Sequence, residues 1–393
     1  AKYAVDVTLP GMLWAKLLRS PIASGKIKRI DASKAERLRG VRAIITGQEC
    51  AGLKIGRRLY DMPILADGEV RFIGEKVLAL AADSEDIAEE ALNLIEVEYE
   101  ESAALLDPVE ALGAGAKLVH PDVANYKGLP KPLSGPTNEF VYYTWKKGDI
   151  ETGFRQADIV VENTFTTPVV HHGYIEPHSA VAKVAPDGSA EIWCCSKVPY
   201  AIREQVGNAL QIPHEKLVVN PCYIGGDFGG KGDFMDVAVV YLLSKKAGKP
   251  VKLVMDYDEE LIAGNPRHAS IIKVKTGLKK DGTIVAHHMD FIFDSGAYGA
   301  FKPNAFLAGP HGSAGPYKIP HCLIEEHMVY TNKIPCGHMR SPGDPQGFFA
   351  NESQLDMIAK KLGMDPLKFR QKNLMHDGDV DPIGEEVGYI KSE

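Results

Sequence analysis

Apolar and polar residues change their period several times along this chain, and each change predicts an element. In residues 69–83, EVRFIGEKVLALAAD, the apolar positions Val70, Phe72, Val77, Leu78 and Leu80 predict a strand. Asp83 or Ser84 then caps a helix over 84–95, because Ile87, Ala91, Leu94 and Ile95 fall on one face. The next residues, EVEYEE at 96–101, alternate and predict an edge or half-exposed strand. A strand, a helix and a strand in succession predict a packed sheet with a crossover. The opening run AKYAVDVTLPGML reads as the middle of a strand, which points to a native start upstream. It lacks the basic start and apolar stretch of a signal peptide.

Past residue 105 the periodicity fades. Residues 106–138 are rich in Gly, Pro and Lys, the composition of a linker. Strands then dominate: residues 158–171 predict one long strand, and 179–196 two more joined at Pro186-Asp187-Gly188. A helix follows over 198–212 with Pro199 near its start, then a strand over 217–224. Residues 234–250 predict an apolar helix closed by Gly248 and Pro250. A hairpin over 271–299 turns at Asp281-Gly282. Two helices, 351–363 ending on Gly363 and 365–375 with Pro366 in its first turn, precede a final loop. The fold class is α+β: an N-terminal α/β unit over 1–105, a linker over 106–138 and a larger mixed-sheet unit over 139–393.

Composition narrows the function classes. A chain of 393 residues, 45% hydrophobic and 25% charged, has the profile of a soluble protein of two or three domains. Its formal charge of −7 supplies no basic face for nucleic acid. No apolar run approaches the ~18 residues of a membrane span. The cysteines, with Cys194 and Cys195 adjacent, form no C-x-x-C pair and lack the spacing of an iron–sulfur site. Free thiols in a reducing, cytoplasmic compartment are expected.

The candidate chemistry concentrates in residues 224–234, IGGDFGGKGDF, between a predicted strand and a predicted helix. The run is one letter short of a phosphate-binding P-loop, with Gly232 standing where Ser or Thr holds magnesium. Backbone N–H groups, the helix N-terminus and Lys231 can gather an anion there. Three readings stay open on the motif: a nucleotide site without its hydroxyl, a glycine turn that lets strand and helix pack, and a backbone-built pocket for another polar ligand. A second element, GHMRSPGDPQGFFANES at 337–353, sets Arg340 on a rigid turn before a helix. That suits a phosphate, carboxylate or oxo-anion, although pairing with a surface carboxylate is the simpler expectation. His171 and His172 are adjacent on a predicted strand and cannot chelate one metal from one face. His171, Glu176 and His178 are a weak zinc set. These histidines and His287-His288 are expected to be core or supporting residues, and no metal ligand is assigned.

In order and spacing these elements resemble the large, molybdenum-binding subunit of the xanthine oxidase and aldehyde oxidase family of molybdenum hydroxylases. Residues 1–105 are similar to the family's N-terminal hammerhead-like domain through YAVDVTLPGMLWAKLLRSP and RFIGEKVLALAAD. The region after 138 is similar to the first molybdopterin-binding domain. The resemblance rests on G-G-x-F-G-G-K at 225–231, R-x-P-G-x-P-Q at 340–346 and the closing LGMDPLKFRQKNLM. It implies a molybdenum–molybdopterin cofactor held largely by backbone groups, its nucleotide form open and the cytosine dinucleotide included. The implied cofactor contacts are Lys197, Gly225, Gly226, Phe228, Gly229, Gly230, Arg340 and Gly343. The implied reaction sets a water-derived oxygen on an electron-poor carbon of an N-heterocycle or aldehyde, with a glutamate as base. Electrons then leave through 2Fe-2S clusters to FAD, both on partner chains.

Three positions depart from the family pattern. Lys197 stands where the family often has a glutamine. Gly232 replaces the substrate-binding glutamate of xanthine-specific members, and Pro342 their stacking phenylalanine. Gly232 and Pro342 are therefore the expected substrate-pocket positions, and xanthine is not the expected substrate. The catalytic glutamate and second cofactor domain are expected outside these residues, so no catalytic residue is assigned and the chain alone is not expected to turn over. Expected partners are a second molybdopterin-binding chain or domain, an iron–sulfur subunit, an FAD subunit and a small-molecule substrate, with no nucleic acid or membrane. The departures keep a non-catalytic paralogue, serving binding or assembly, as the alternative.

Overall fold

A computed structural model describes residues 1–302 and 306–386. Residues 387–393 of the expected second unit lie outside them. A seven-stranded mixed sheet runs in the order Leu217–Pro221, Ala190–Cys194, Ser179–Val184, Val251–Val254, Leu13–Arg19, Lys76–Ala82, Val41–Thr46. Leu13–Arg19 lies parallel to Val251–Val254, with Leu13 opposite Val251, and antiparallel to Lys76–Ala82. Strands from the first hundred residues and strands from beyond residue 178 thus share one sheet. Lys76–Ala82 is buried at every position, which is why its sequence reads as a nearly continuous apolar run. The helix Val237–Ala247 packs Val237, Val239, Val240 and Leu243 into the core on this sheet. It stops where Gly248 turns left-handed at φ 64°. The helix Pro199–Leu210 adds Ile202, Val206 and Ala209 to the same core.

A second sheet orders Ile159–Thr167, Ala269–Leu278, Ile284–Asp294, His321–Val329 and Glu139–Lys147. The helix Asp344–Leu362 covers one of its faces with Ala350, Leu355, Ile358 and Ala359, and Pro366–Asn373 follows with Asp365 as its cap. Glu96–Glu101 is an edge strand of a small three-stranded sheet, as its alternation predicts.

Several expectations change. The strand expected over 69–83 is two, Glu69–Val70 and Lys76–Ala82, broken by a turn at Gly74 with φ 103°. Lys76–Ala82 and Glu96–Glu101 lie in different sheets, so the helix between them, Glu85–Asn93 capped by Ser84, makes no crossover within one sheet. The chain opens on a short 3-10 turn, Ala4–Asp6, and its first strand begins only at Leu13. The strand expected over 158–171 ends at Thr167, since Pro168 has no N–H to continue the ladder. His171 and His172 are consequently not on a strand. Residues 106–138 hold a helical turn, Pro108–Ala111. This region and the adjoining Leu105 bury Leu105, Ala111, Val119, Val123 and Tyr126 in the core of the second sheet.

Candidate functional site

The strand Leu217–Pro221 delivers the chain to the glycine loop, but the loop does not run straight into a helix. A 3-10 turn, Gly230–Gly232, intervenes, and the helix begins at Val237. The helix N-terminus expected to share an anion with the loop is therefore displaced. Its cap, Asp236, is buried and meets the Lys76 ammonium at 2.7 Å and the Arg19 guanidinium at 3.5 Å.

Lys231 points away from solvent. Its ammonium is fully buried, bonds Glu176 Oε2 at 2.7 Å and lies 4.8 Å from the Tyr174 ring centroid. The same carboxylate oxygen accepts the Gly225 N–H at 2.7 Å. Lys231 thus ties the end of the loop to its beginning, and a P-loop lysine reaching a nucleotide phosphate is excluded by that geometry. His172, Tyr174 and Glu176 pack behind Gly225, Gly226 and Gly230, and the Tyr174 hydroxyl donates to the buried Glu260 at 2.8 Å. Against the desolvation that would raise it, the His178 imidazole and these hydrogen bonds bring the Glu260 carboxyl down to about 2. His171, Glu176 and His178 are accordingly braces, and among the described residues no group of three such side chains is placed to hold a metal. His287 is buried and His288 bonds Glu325, away from this loop.

On its other side the loop meets residues 338–342. Arg340 N–H donates to the Phe228 carbonyl at 2.6 Å, and His172 Nε2–H donates to the His338 carbonyl at 2.6 Å. The contact needs a glycine: Gly229 has φ 110°, and a Cβ there would lie 2.8 Å from the His338 oxygen. Phe228 itself sits at φ 47°, an uncommon state for a bulky residue, and it holds the ring half-exposed. Arg267 braces the opposite turn by donating to the Arg340 carbonyl at 2.8 Å and, at 3.2–3.3 Å, to Ser341 O and Gln346 Oε1. Gly343 lies at the start of the following helix, packed on Pro310.

Between the two turns opens a cleft of about 450 Å³. It brings together Lys197, Phe228, Gly229, Arg340 and Pro342 of the sequence-predicted residues, and adds Arg57, Asp227 and His338. Gly225, Gly226, Gly230 and Gly343 stand behind its walls. Gly232 adjoins it, its Cα hydrogen facing Arg57 and Lys197: a Cβ would come within 3.3 Å of Arg57 Nη1 and 3.8 Å of Lys197 Cε. Lys197 pairs with Asp227 at 2.7 Å, and Arg57 with the buried Asp233 at 3.4 Å. Burial raises the Asp233 carboxyl to about 6, against the Arg57 charge and the Gln205 hydrogen bond. Burial, then the cations of Arg57, Lys302 and Lys197, push the His338 imidazole down to about 3. Among the described residues no hydrogen bond or ion pair engages the Arg340 guanidinium.

The motifs do not point to Arg57. It comes from a turn in the N-terminal region, held by its N–H bond to the Ala300 carbonyl at 2.9 Å, and no local pattern marks it. Arg267 escapes sequence reasoning for the same reason.

The profile of the molybdopterin cofactor-binding domain matches residues 134–374, and that of the aldehyde oxidase and xanthine dehydrogenase a/b hammerhead domain matches residues 1–103. The chain belongs to the molybdenum hydroxylase family, and to its molybdopterin-binding subunits. Within that family it is 34% identical over 387 residues to a probable xanthine dehydrogenase subunit of Bacillus subtilis, covering 98% of this chain and 50% of that one. It is 32% identical over 374 residues to the nicotinate dehydrogenase large molybdopterin subunit of Eubacterium barkeri, covering 95% of this chain and 85% of that one. The quinoline 2-oxidoreductase structure from Pseudomonas putida superposes with a TM-score of 0.88 at 29% identity, over 98% of this chain and 50% of that one. The chain thus spans about half the length of two of these three molybdenum hydroxylases and most of the third. The α+β fold, hammerhead domain first and mixed-sheet cofactor domain second, is the family's.

Proposed function

We propose that this chain forms the cofactor-facing part of a molybdenum hydroxylase, oxidising an electron-poor carbon of an N-heterocycle or aldehyde with an oxygen drawn from water. The observation that carries the proposal is the Arg340 N–H to Phe228 carbonyl bond, which joins two family signatures, over a hundred residues apart, across one cleft. The cleft fits the molybdenum–molybdopterin group. Its wall holds a buried His338 Nδ1 with no partner among the described residues, a polar atom left for a bound group to meet. Phe228, Gly229 and the Arg340 turn would hold that group, with Gly225, Gly226, Gly230 and Gly343 shaping the backbone. When bound, molybdenum supplies a Lewis-acidic centre that activates water and a sink for the substrate's electrons. The chain's own residues hold the ring of Phe228 in place, exclude bulk water from the loop's rear face and set positive charge around the reacting site.

The remaining parts of the enzyme belong to partners in this reading: a second molybdopterin-binding chain or domain bearing the catalytic glutamate, a 2Fe-2S subunit and an FAD subunit, in the cytoplasm. Ile175, Tyr200 and Tyr223, 89%, 75% and 63% exposed, come from segments adjoining the glycine loop and supply the apolar surface such a partner covers. No helix among the described residues is long and apolar enough to cross a membrane. The pterin's cytosine dinucleotide form is part of the proposal.

Metal analysis and pterin fluorescence of the fully matured complex test it. Stoichiometric molybdenum with pterin is expected. Their absence would instead establish the non-catalytic paralogue that Lys197, Gly232 and Pro342 leave open.

A further inference from the structure

The cleft joins two kinds of surface. One wall is apolar and flat, made by the half-exposed Phe228 ring and by Pro342. The other carries the Arg57 guanidinium and the Lys197 ammonium, which flank the bare Cα of Gly232. From these surfaces we infer that the substrate is an anionic aromatic, a planar ring bearing a carboxylate that Arg57 and Lys197 receive. The inference rests on the hydroxylase reading and names its substrate class.

The cations are not used up by their acidic neighbours. Arg57 makes one long contact, Nη1 to Asp233 Oδ2 at 3.4 Å, and no other side-chain bond is seen for its remaining N–H donors among the described residues. Asp233 accepts its better bond, at 2.6 Å, from Gln205 Nε2. Lys197 is paired with Asp227, but its side chain remains 45% exposed, and an ammonium has two further donors to offer. Arg340 adds a third cation on the same cleft with no partner among the described residues. Three cations thus share the cleft with one lining carboxylate, Asp227, and one buried carboxylate behind it, Asp233. A guanidinium beside an ammonium suits a carboxylate, which accepts from both at once. Gly232 is what makes the arrangement possible, because any side chain there meets Arg57 first.

The test compares pyridine-3-carboxylate with the nearly isosteric pyridine-3-carboxamide on the matured complex, by steady-state kinetics and by titration calorimetry. The carboxylate is expected to have the higher kcat/KM and the tighter binding. Arg57→Met should raise KM for the carboxylate about 10- to 100-fold, the worth of a charge-assisted bond, and by a larger factor than it raises KM for the carboxamide. Arg57→Lys should restore part of the loss, and Gly232→Glu, which sets a carboxylate between the cations, should reverse the preference. Equal losses on both probes, or a wild-type preference for the carboxamide, overturn the inference. Competition by inorganic pyrophosphate as strong as by the carboxylate also overturns it, assigning the cations to a cofactor phosphate. A complex without molybdenum that turns over neither probe defeats the hydroxylase reading, whereas the calorimetric preference and its loss in Arg57→Met still decide the anion site. If Arg57→Met does not fold, the Arg57→Lys and Gly232→Glu pair decides the matter.

Discussion

Lys231 and Lys197 stand on opposite sides of one glycine loop, and each meets a carboxylate at 2.7 Å. The side chains of Lys231 and Glu176 are 0% and 8% exposed, those of Lys197 and Asp227 45% and 20%. Length alone therefore says little about what a salt bridge does. The buried pair cannot be broken without stranding a charge away from water, so it locks the rear of the loop. The exposed pair exchanges with water at little cost and leaves its lysine available to a ligand. Arg57 and Asp233 form an intermediate case, with one member 27% exposed and the other 1%.

That ranking can be broken by experiment. Glu176→Ala strands the Lys231 ammonium and the Gly225 N–H, and a loss of about 3–5 kcal/mol is expected in urea unfolding. Asp233→Asn probes the mixed pair through pH. The folded-state carboxyl is raised to about 6 from an ordinary 3.8, so the fold favours its protonated form. The stability it contributes is full below the unfolded value and is lost as pH rises through about 6. Across that window the wild type should lose of order 2–3 kcal/mol relative to the Asn variant, read from unfolding midpoints at about pH 4 and 7. Lys197→Ala should change stability by less than about 1 kcal/mol. Equal losses for Glu176→Ala and Lys197→Ala would show that burial does not separate the two pairs.

Local elements were largely legible because their signals are local. Ser84, Pro199, Gly248, Pro366 and the Asp281-Gly282 turn act through adjacent backbone, and each stands where the pattern puts it. The differences arise where distant pairing decides. Residues 76–82, the greater part of the strand expected over 69–83, and 96–101 are strands, yet nothing in them says that they join different sheets. The stretch 106–138 has the composition of a linker because Gly, Pro and Lys punctuate it, yet Val119, Val123 and Tyr126 among its apolar residues are buried, while Leu106 and Val109 stay exposed. The site was legible at its two motifs and illegible at Arg57 and Arg267.

By itself the sequence determined which conformations were available: a loop that tolerates φ 110° at Gly229, an unobstructed Cα at Gly232, and an arginine on a proline-glycine turn at 340. The tertiary structure decided which way each lysine points and which distant cation enters the cleft. The pairing of Leu13 with Val251 ties the N-terminal region to the cofactor domain, and with the Arg57–Ala300 bond it sets Arg57 beside Asp233. Backbone freedom is a property of single residues, whereas charge placement depends on strands that meet only after the chain has folded.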